Sequence, residues 1–338
     1  MSGVPSSETI LTVDRLDVSF KGRRRNQVVK AVVDVSFAVR KGETFGVIGE
    51  SGSGKSTLGR AVVCLLQPSA GQILHFGEDP FRLSASELRR HRRAFQIVFQ
   101  DPHAALDPRM TILESVCEPL DVAGLGRPAD RRRKALEMLD RVALSAEFAE
   151  RYPHEISGGQ KQRVNIARAL VLEPRLIVCD EVVAALDVSI QADMLNLFAD
   201  LQRDFGLTYL FISHDLRVVA HISDRVAVMY AGKIVELAPA DELMAKPLHP
   251  YTQALLSAEP EPRIPEAGES RRIVLKGEIP SPLAPPPGCR FHTRCPIAAP
   301  QCAMQEPAWQ EFAPGRFVAC HFAGTQLPSK GRHSTPTN

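Results

Sequence analysis

Nothing in this sequence stays apolar for long. Stretches such as "RLIVCD" and "TYLFIS" break off at a polar or charged residue after a few positions, far short of the roughly 20 residues a membrane-crossing helix needs. An excess of one charge is also missing. With 41 basic and 39 acidic residues the formal net charge is +2, which gives no footing for bulk binding to nucleic acid or to a membrane surface. The basic clusters at Arg23 to Arg25, Arg89 to Arg93 and Arg131 to Arg133 are short and have acidic neighbours, as solvated helix ends and loops do. Aromatic residues make up 6% of the chain and do not interleave with basic ones, so no nucleic-acid partner is expected. Heptad runs and internal repeats are lacking as well. The opening "MSGVPSSETILTVDRL" has no basic region followed by an apolar run, so no signal peptide is expected. A soluble cytosolic chain follows, unless a partner holds it elsewhere, and in a reducing cytosol disulfides are not the expected use of its seven cysteines.

What is present suits a globular α/β protein. At 338 residues and 44% hydrophobic, the chain can fill one large domain with an appendage. Residues 11 to 40 alternate apolar and polar side chains, the signature of antiparallel strands with one buried face. From Thr44 onwards short apolar strands lead into glycines or acids and then into helices. That order predicts a mostly parallel sheet with ligands at the C-terminal ends of its strands. Between about 101 and 165 the strand signal gives way to amphipathic helix. In "DRRRKALEMLDRVAL", Leu136, Leu139 and Val142 share one face, and a helical insertion is expected there. Beyond about 262 the composition shifts. "GEIPSPLAPPPGCR" reads as a stiff proline-rich connector, followed by a Cys-rich extension to about 323 and a tail, 324–338, expected to be disordered.

"GESGSGKST", Gly49 to Thr57, lies between the strand "TFGVI" and a helix expected to begin near Lys55. Gly49, Gly52 and Gly54 allow a tight curl whose N–H groups, with those of Ser51 and Ser53, can face a phosphate at a helix N-terminus. Lys55 can reach the β- and γ-phosphates, Ser56 can offer a hydroxyl to Mg²⁺, and Thr57 follows in the first helical turn. The strand "RLIVC" then carries Asp180, suited to the shell of a metal ion. Glu181 comes next, able to take a proton from an attacking water. "AFQIVFQ" ends on Gln100 and "TYLFISH" on His214. Neither carries weight alone. In "ISGGQKQRVNIARAL" a serine and two glycines open a long helix, a second anion-binding terminus far along the chain from the first.

Together these motifs resemble the ATP-binding cassette family. The resemblance covers residues 11 to about 260 and implies a P-loop fold with an antiparallel β subdomain and a helical subdomain. It also implies a head-to-tail dimer, with each ATP lying between one subunit's phosphate loop and the other's signature. By that resemblance Ser157, Gly158, Gly159 and Gln160 are the signature, and Gln100 is the Q-loop glutamine near the metal. Asp180 and Glu181 take the metal and catalytic-base positions. "AALD", ending at Asp187, is the D-loop and His214 the switch histidine. Phe20 is the candidate to stack on adenine, with Phe37 nearby as a rival. The chain departs from the family at Ile156, where leucine is usual, at Val182, where proline is usual, and at Ala184, where serine is usual. The segments "LHPYTQALLSAEPEP" and "LKGEIPSPLAPPPGCRFHTRCP" are similar to the C-terminal extension of ATPase subunits of dipeptide and oligopeptide importers. Nickel and glutathione importers share that pattern. The resemblance is to the second of the paired ATPases, which implies two transmembrane permease subunits, a sister ATPase, indirect service to a substrate-binding protein, and a peripheral place on the cytoplasmic face of the inner membrane. A stand-alone soluble ATPase with a sensing Cys tail is the alternative.

Cys289, Cys295, Cys302 and Cys320 are spaced C-x5-C-x6-C-x17-C. Zinc sites favour closer pairs, although His292 and His321 could contribute, and four thiolates on an irregular loop suit an iron–sulfur cluster. The peptide-importer resemblance implies a [4Fe–4S] cluster on these four. Unliganded thiols are the remaining possibility. Cys64, Cys117 and Cys179 stand in apolar surroundings and read as small core residues.

Overall fold

The computed structural model describes residues 8–22, 24, 27–184, 186–258 and 273–327. The expected junction near 262, Ala185 within "AALD" and the tail beyond 327 lie outside the described residues. The long strands β1 (Thr9–Lys21) and β2 (Val28–Arg40) pair antiparallel, and β4 (Ala70–His75) adds to the other side of β1. Their alternation buries Leu11, Val13, Leu16, Val32, Val35 and Phe37 on one face only. This is the half-buried antiparallel sheet expected from residues 11 to 40.

The main sheet behaves differently. β3 (Thr44–Ile48), β6 (Leu176–Asp180) and β7 (Thr208–Ser213) are buried at every position, because both faces of a parallel sheet are covered. Among the described residues β3 pairs parallel with β7 and with β8 (Arg225–Tyr230), while β6 joins β7 to β5 (Phe95–Val98). β9 (Lys233–Pro239) turns back antiparallel to β8. Two short C-terminal strands, β10 (Gln310–Ala313) and β11 (Arg316–Val318), extend the sheet, giving the order β10-β11-β9-β8-β3-β7-β6-β5. The extension is therefore hydrogen-bonded to the body, through Phe317 opposite Leu237 and Val318 opposite Glu236.

Helix α1 (Lys55–Val62) follows β3, and α2 (Ala85–His91) precedes β5. The helical part contains α3 (Ile112–Ala123), α4 (Pro128–Arg141) and α5 (Gly158–Leu170). Its boundaries follow from local chemistry. Thr111 and Glu114 form a capping box at the start of α3, and Gly124 in the left-handed conformation ends it. Pro128 opens α4 at a position where its missing N–H costs nothing. On α4 the buried stripe is Ala135, Met138 and Leu139, continued by Val142, whereas Leu136 is only partly buried. The stripe is thus rotated slightly from the expected face. The remaining helices are α6 (Val188–Phe205), α7 (Leu216–Ile222), α8 (Ala240–Ala245), α9 (Pro250–Ala258) and α10 (Pro300–Met304). No helix among the described residues is long and apolar enough to cross a membrane.

Candidate nucleotide site

The phosphate loop runs from the buried end of β3 into α1. Gly54, the residue before the helix, has φ 106°, and a Cβ there would stand 2.3 Å from the Ala31 carbonyl oxygen. Only glycine fits. Because Gly54 offers no side-chain cap, the first N–H groups of α1 keep no local acceptor and face the loop's concave side. Lys55 is buried. Its Nζ donates to the Gly49 carbonyl at 2.7 Å and the Glu50 carbonyl at 3.1 Å, and lies 3.9 Å from Glu181. Burial pulls the ammonium below its ordinary pKa, opposed by Glu181, Asp180 and Glu50. Ser53 N–H is tied to the Glu50 carbonyl, and the Ser53 carbonyl accepts from Gly232 N–H.

The neighbouring strands bring the remaining groups to the same rim. Asp180, at the end of β6, accepts a 2.8 Å hydrogen bond from Ser56 Oγ. Burial raises its carboxyl above the usual range, with the Ser56 hydroxyl opposing. Glu181 has φ 53°, a conformation that strains a side-chain-bearing residue, and its N–H donates to the Ile212 carbonyl of β7. That turn swings its carboxylate over the loop, where Gln100 Nε2 donates to it at 2.9 Å and His214 Nδ1 stands 3.5 Å away. Groups from β3, β5, β6 and β7 therefore converge on one carboxylate.

A cleft lies over the loop, lined by Phe20, Ser51, Gly52, Gly54, Lys55, Ser56, Thr57, Gln100 and Glu181, together with Val29, Ala31 and Pro282. Phe20 is 39% exposed beside it, whereas Phe37 is buried and stacked on Phe45 at 4.8 Å. Of the two rivals, only Phe20 is free to meet a ligand. The signature residues are elsewhere. Ser157 caps α5, exchanging hydrogen bonds with Gln160. None of Ser157, Gly158, Gly159 and Gln160 lines the cleft over the phosphate loop. Asp187 is exposed at the start of α6 with no capping hydrogen bond from its side chain. One chain thus carries both anion-binding termini without bringing them together. Val182 is buried, and Ala184 N–H closes the turn onto the Glu181 carbonyl.

Ser56, Asp180 and Gln100 offer oxygen donors of the kind Mg²⁺ prefers; Ser56 and Asp180 are hydrogen-bonded to each other, and Gln100 lines the same cleft as Ser56. The cysteines present a different picture. Cys289 N–H donates to the Cys302 carbonyl, and Cys320 Sγ accepts from Phe322 N–H at 3.3 Å. Burial pushes the Cys295 thiol up to about 11 and the Cys320 thiol up to about 12, and each is raised further by neighbouring cysteines. The sulfurs suit a soft metal centre as donors. Yet among the described residues no group of three or more His, Cys, Asp or Glu is arranged so that it could hold a metal ion. Of the other cysteines, Cys64 and Cys179 are buried in the core as expected, and Cys117 is only partly so.

Sequence reading missed several residues that hold the loop: Glu50, Tyr251, Arg290 and Arg294. Arg294 makes a two-pronged contact to Glu50, at 2.6 and 3.1 Å, and Tyr251 Oη accepts from Glu50 N–H at 2.9 Å. No spacing signal could have found them, since Arg294 and Glu50 are 244 residues apart.

Comparison with known proteins agrees with this geometry. Residues 32–184 match the ABC transporter family, and residues 235–302 match the family described as the C-terminal region of the oligopeptide/dipeptide transporter. The chain is 56% identical over 294 residues to the oligopeptide transport ATP-binding protein AppF of Bacillus subtilis, covering 87% of this chain and 89% of that one. It is 54% identical to a putative peptide import ATP-binding protein of Brucella ovis, over 88% and 93% of the two chains. A dimeric structure of the ATP-binding cassette MJ0796 bound to ADP and Pi superposes with a TM-score of 0.62 at 30% identity, covering 68% of this chain and 99% of that one. Similarity to transport proteins at this level counts against a stand-alone ATPase. The chain belongs to the ATP-binding subunits of the oligopeptide/dipeptide family of ABC transporters.

Proposed function

We propose that this chain hydrolyses ATP to power import of dipeptides or oligopeptides through a pair of membrane permeases, paired head to tail with a sister ATPase at the cytoplasmic face of the membrane. The observation that carries this reading is the division of the site. The phosphate loop, Gln100 and Glu181 line one cleft, with Asp180 bonded to Ser56 and His214 3.5 Å from Glu181 beside it, while the signature serine opens a helix outside it. A second subunit's signature is the natural lid for that cleft. The relatives' names add the cargo class. For the permease contact, the apolar groove between β5 and α3 is suited: it is lined by Phe99, Pro119 and Val122, with Val122 73% exposed.

In the proposed reaction Lys55 and the α1 N–H groups bind and orient the phosphates. Ser56, Asp180 and Gln100 would hold Mg²⁺, which would supply charge neutralisation on the phosphate oxygens. Glu181 accepts a proton from the attacking water, held in position by Gln100. His214 contributes a donor towards the γ-phosphate, and Phe20 stacks on the adenine. Asp187 and the signature residues Ser157, Gly158, Gly159 and Gln160 act across the dimer. A [4Fe–4S] cluster on the four C-terminal cysteines is proposed from their soft-donor chemistry alone, since their side chains are not arranged as a metal site here.

Two experiments test these parts separately. Peptide uptake by the assembled transporter should stop when this subunit carries Lys55→Ala; undiminished uptake would overturn the role. Chain purified without oxygen should contain about four irons and four acid-labile sulfides, lost in Cys295→Ser. Zinc without sulfide, or no metal, would overturn the cluster.

A further inference from the structure

Between Cys289 and Cys295 stand two arginines: Arg294 reaches the phosphate loop itself, and Arg290 reaches the turn at Ala231 that borders it. Arg294 Nη1 and Nη2 grip the two oxygens of Glu50, the second residue of the loop. The pair is shielded, with Arg294 9% and Glu50 24% exposed, so the contact is little weakened by salt. Glu50 N–H is held in turn by Tyr251, whose ring packs against Tyr230 and Phe291. Phe291 lies between the two arginines in sequence and is fully buried. Arg290 donates to the Ala231 carbonyl, and the next residue, Gly232, donates its N–H to the Ser53 carbonyl at 2.8 Å. The segment thus touches the loop at Glu50 directly and at Ser53 through one turn. The proline-rich connector reaches the cleft but not the loop: the Pro282 carbonyl accepts from Lys30 N–H of β2, and Pro282 lines the cleft.

We propose that the Cys289–Cys295 segment is a clamp that presets the phosphate loop for ATP, with Arg294 as its positioning residue acting through Glu50. This rests on the assignment of Gly49 to Thr57 as the nucleotide site. The loop N–H groups bind phosphate only in one curl, and a curl enforced before binding costs no ordering when the nucleotide arrives. Arg294 does not touch the nucleotide, so its loss weakens binding and leaves the chemical step largely intact. It also places the cysteine-bearing segment in mechanical contact with the loop. A change in how Cys289 and Cys295 are held would reach the ATP site through these two arginines.

The full chain is titrated with a fluorescent ATP analogue, and ATP turnover is followed in the assembled transporter. Arg294→Gln and Glu50→Gln should each weaken nucleotide affinity about tenfold, as expected for one lost charge-assisted contact, while kcat changes less than about twofold. The double variant should be no weaker than either single one, and Arg294→Lys should recover part of the affinity. Unchanged affinity in both single variants, or losses that simply add, would overturn the clamp. If Arg294→Gln fails to fold, Glu50→Gln decides alone, since unchanged affinity there has the same meaning. Lys55→Ala separates the two levels. Nucleotide binding that survives it contradicts the site itself and the clamp with it. Binding lost in Lys55→Ala but untouched in Glu50→Gln and Arg294→Gln contradicts the clamp alone.

Discussion

His75 is buried against Phe95, with Nε2 2.8 Å from the Val62 carbonyl and Nδ1 2.9 Å from His91 Nε2. The carbonyl requires a proton on Nε2, so in the neutral ring Nδ1 accepts from His91. Burial and the neighbouring His91 lower its pKa to about 3, and burial alone lowers that of His249 to about 3. Both stay neutral in the folded chain while the unfolded chain takes up protons near pH 6.5. The sign follows: this stability is intact above pH 6.5 and falls as the pH drops towards 3, by roughly 1.4 kcal/mol per pH unit for each histidine. Urea midpoints measured between pH 7.5 and 5 should fall accordingly, and a flat profile would contradict the neutral assignment. At the same scale, the candidate site was legible because its residues are locally marked: glycines, Lys55 and Ser56 are neighbours in sequence, Asp180 ends β6, and His214 and Gln100 follow β7 and β5 within two residues. Arg294 and Tyr251 were not legible, since only the fold brings them to Glu50.

Elements were readable in proportion to what each one buries. β3, β6 and β7 are apolar runs because both faces are covered, and α3 and α5 carry their own caps at Thr111 and Ser157. β10 and β11 could not be read. "QEFA" is mostly exposed and "RFV" is three residues long; β11 is a strand because β9 offers a free edge, and β10 pairs in turn with β11. The α4 stripe kept Leu139 and Val142 as read but is completed by Ala135 and Met138, with Leu136 only partly buried at its edge. Leu139, fully buried there, gives a prediction at this scale. Leu139→Ala should cost about 2–5 kcal/mol in unfolding free energy, from lost transfer and a residual cavity. Chemical denaturation measures it, and a loss under about 1 kcal/mol would mean that α4 is not packed as described.

At the scale of the whole molecule, one chain holds two candidate anion-binding helix termini in different places, the phosphate loop at α1 and Ser157 at α5. The parallel sheet sets the phosphate loop, Asp180, Glu181 and His214 along one rim, and the helical part carries Ser157 away from it. The C-terminal residues add strands to the far edge of that sheet and return Arg294 to the loop. The proposed catalytic carboxylate is Glu181, which Gln100, Lys55 and His214 all approach. The most direct measurement is ATP turnover by the assembled transporter with Glu181→Gln in this subunit and in the matching position of its partner, beside nucleotide binding. Turnover should fall at least about a hundredfold with binding retained, because the amide holds the geometry and cannot take the proton. Undiminished turnover would contradict the account.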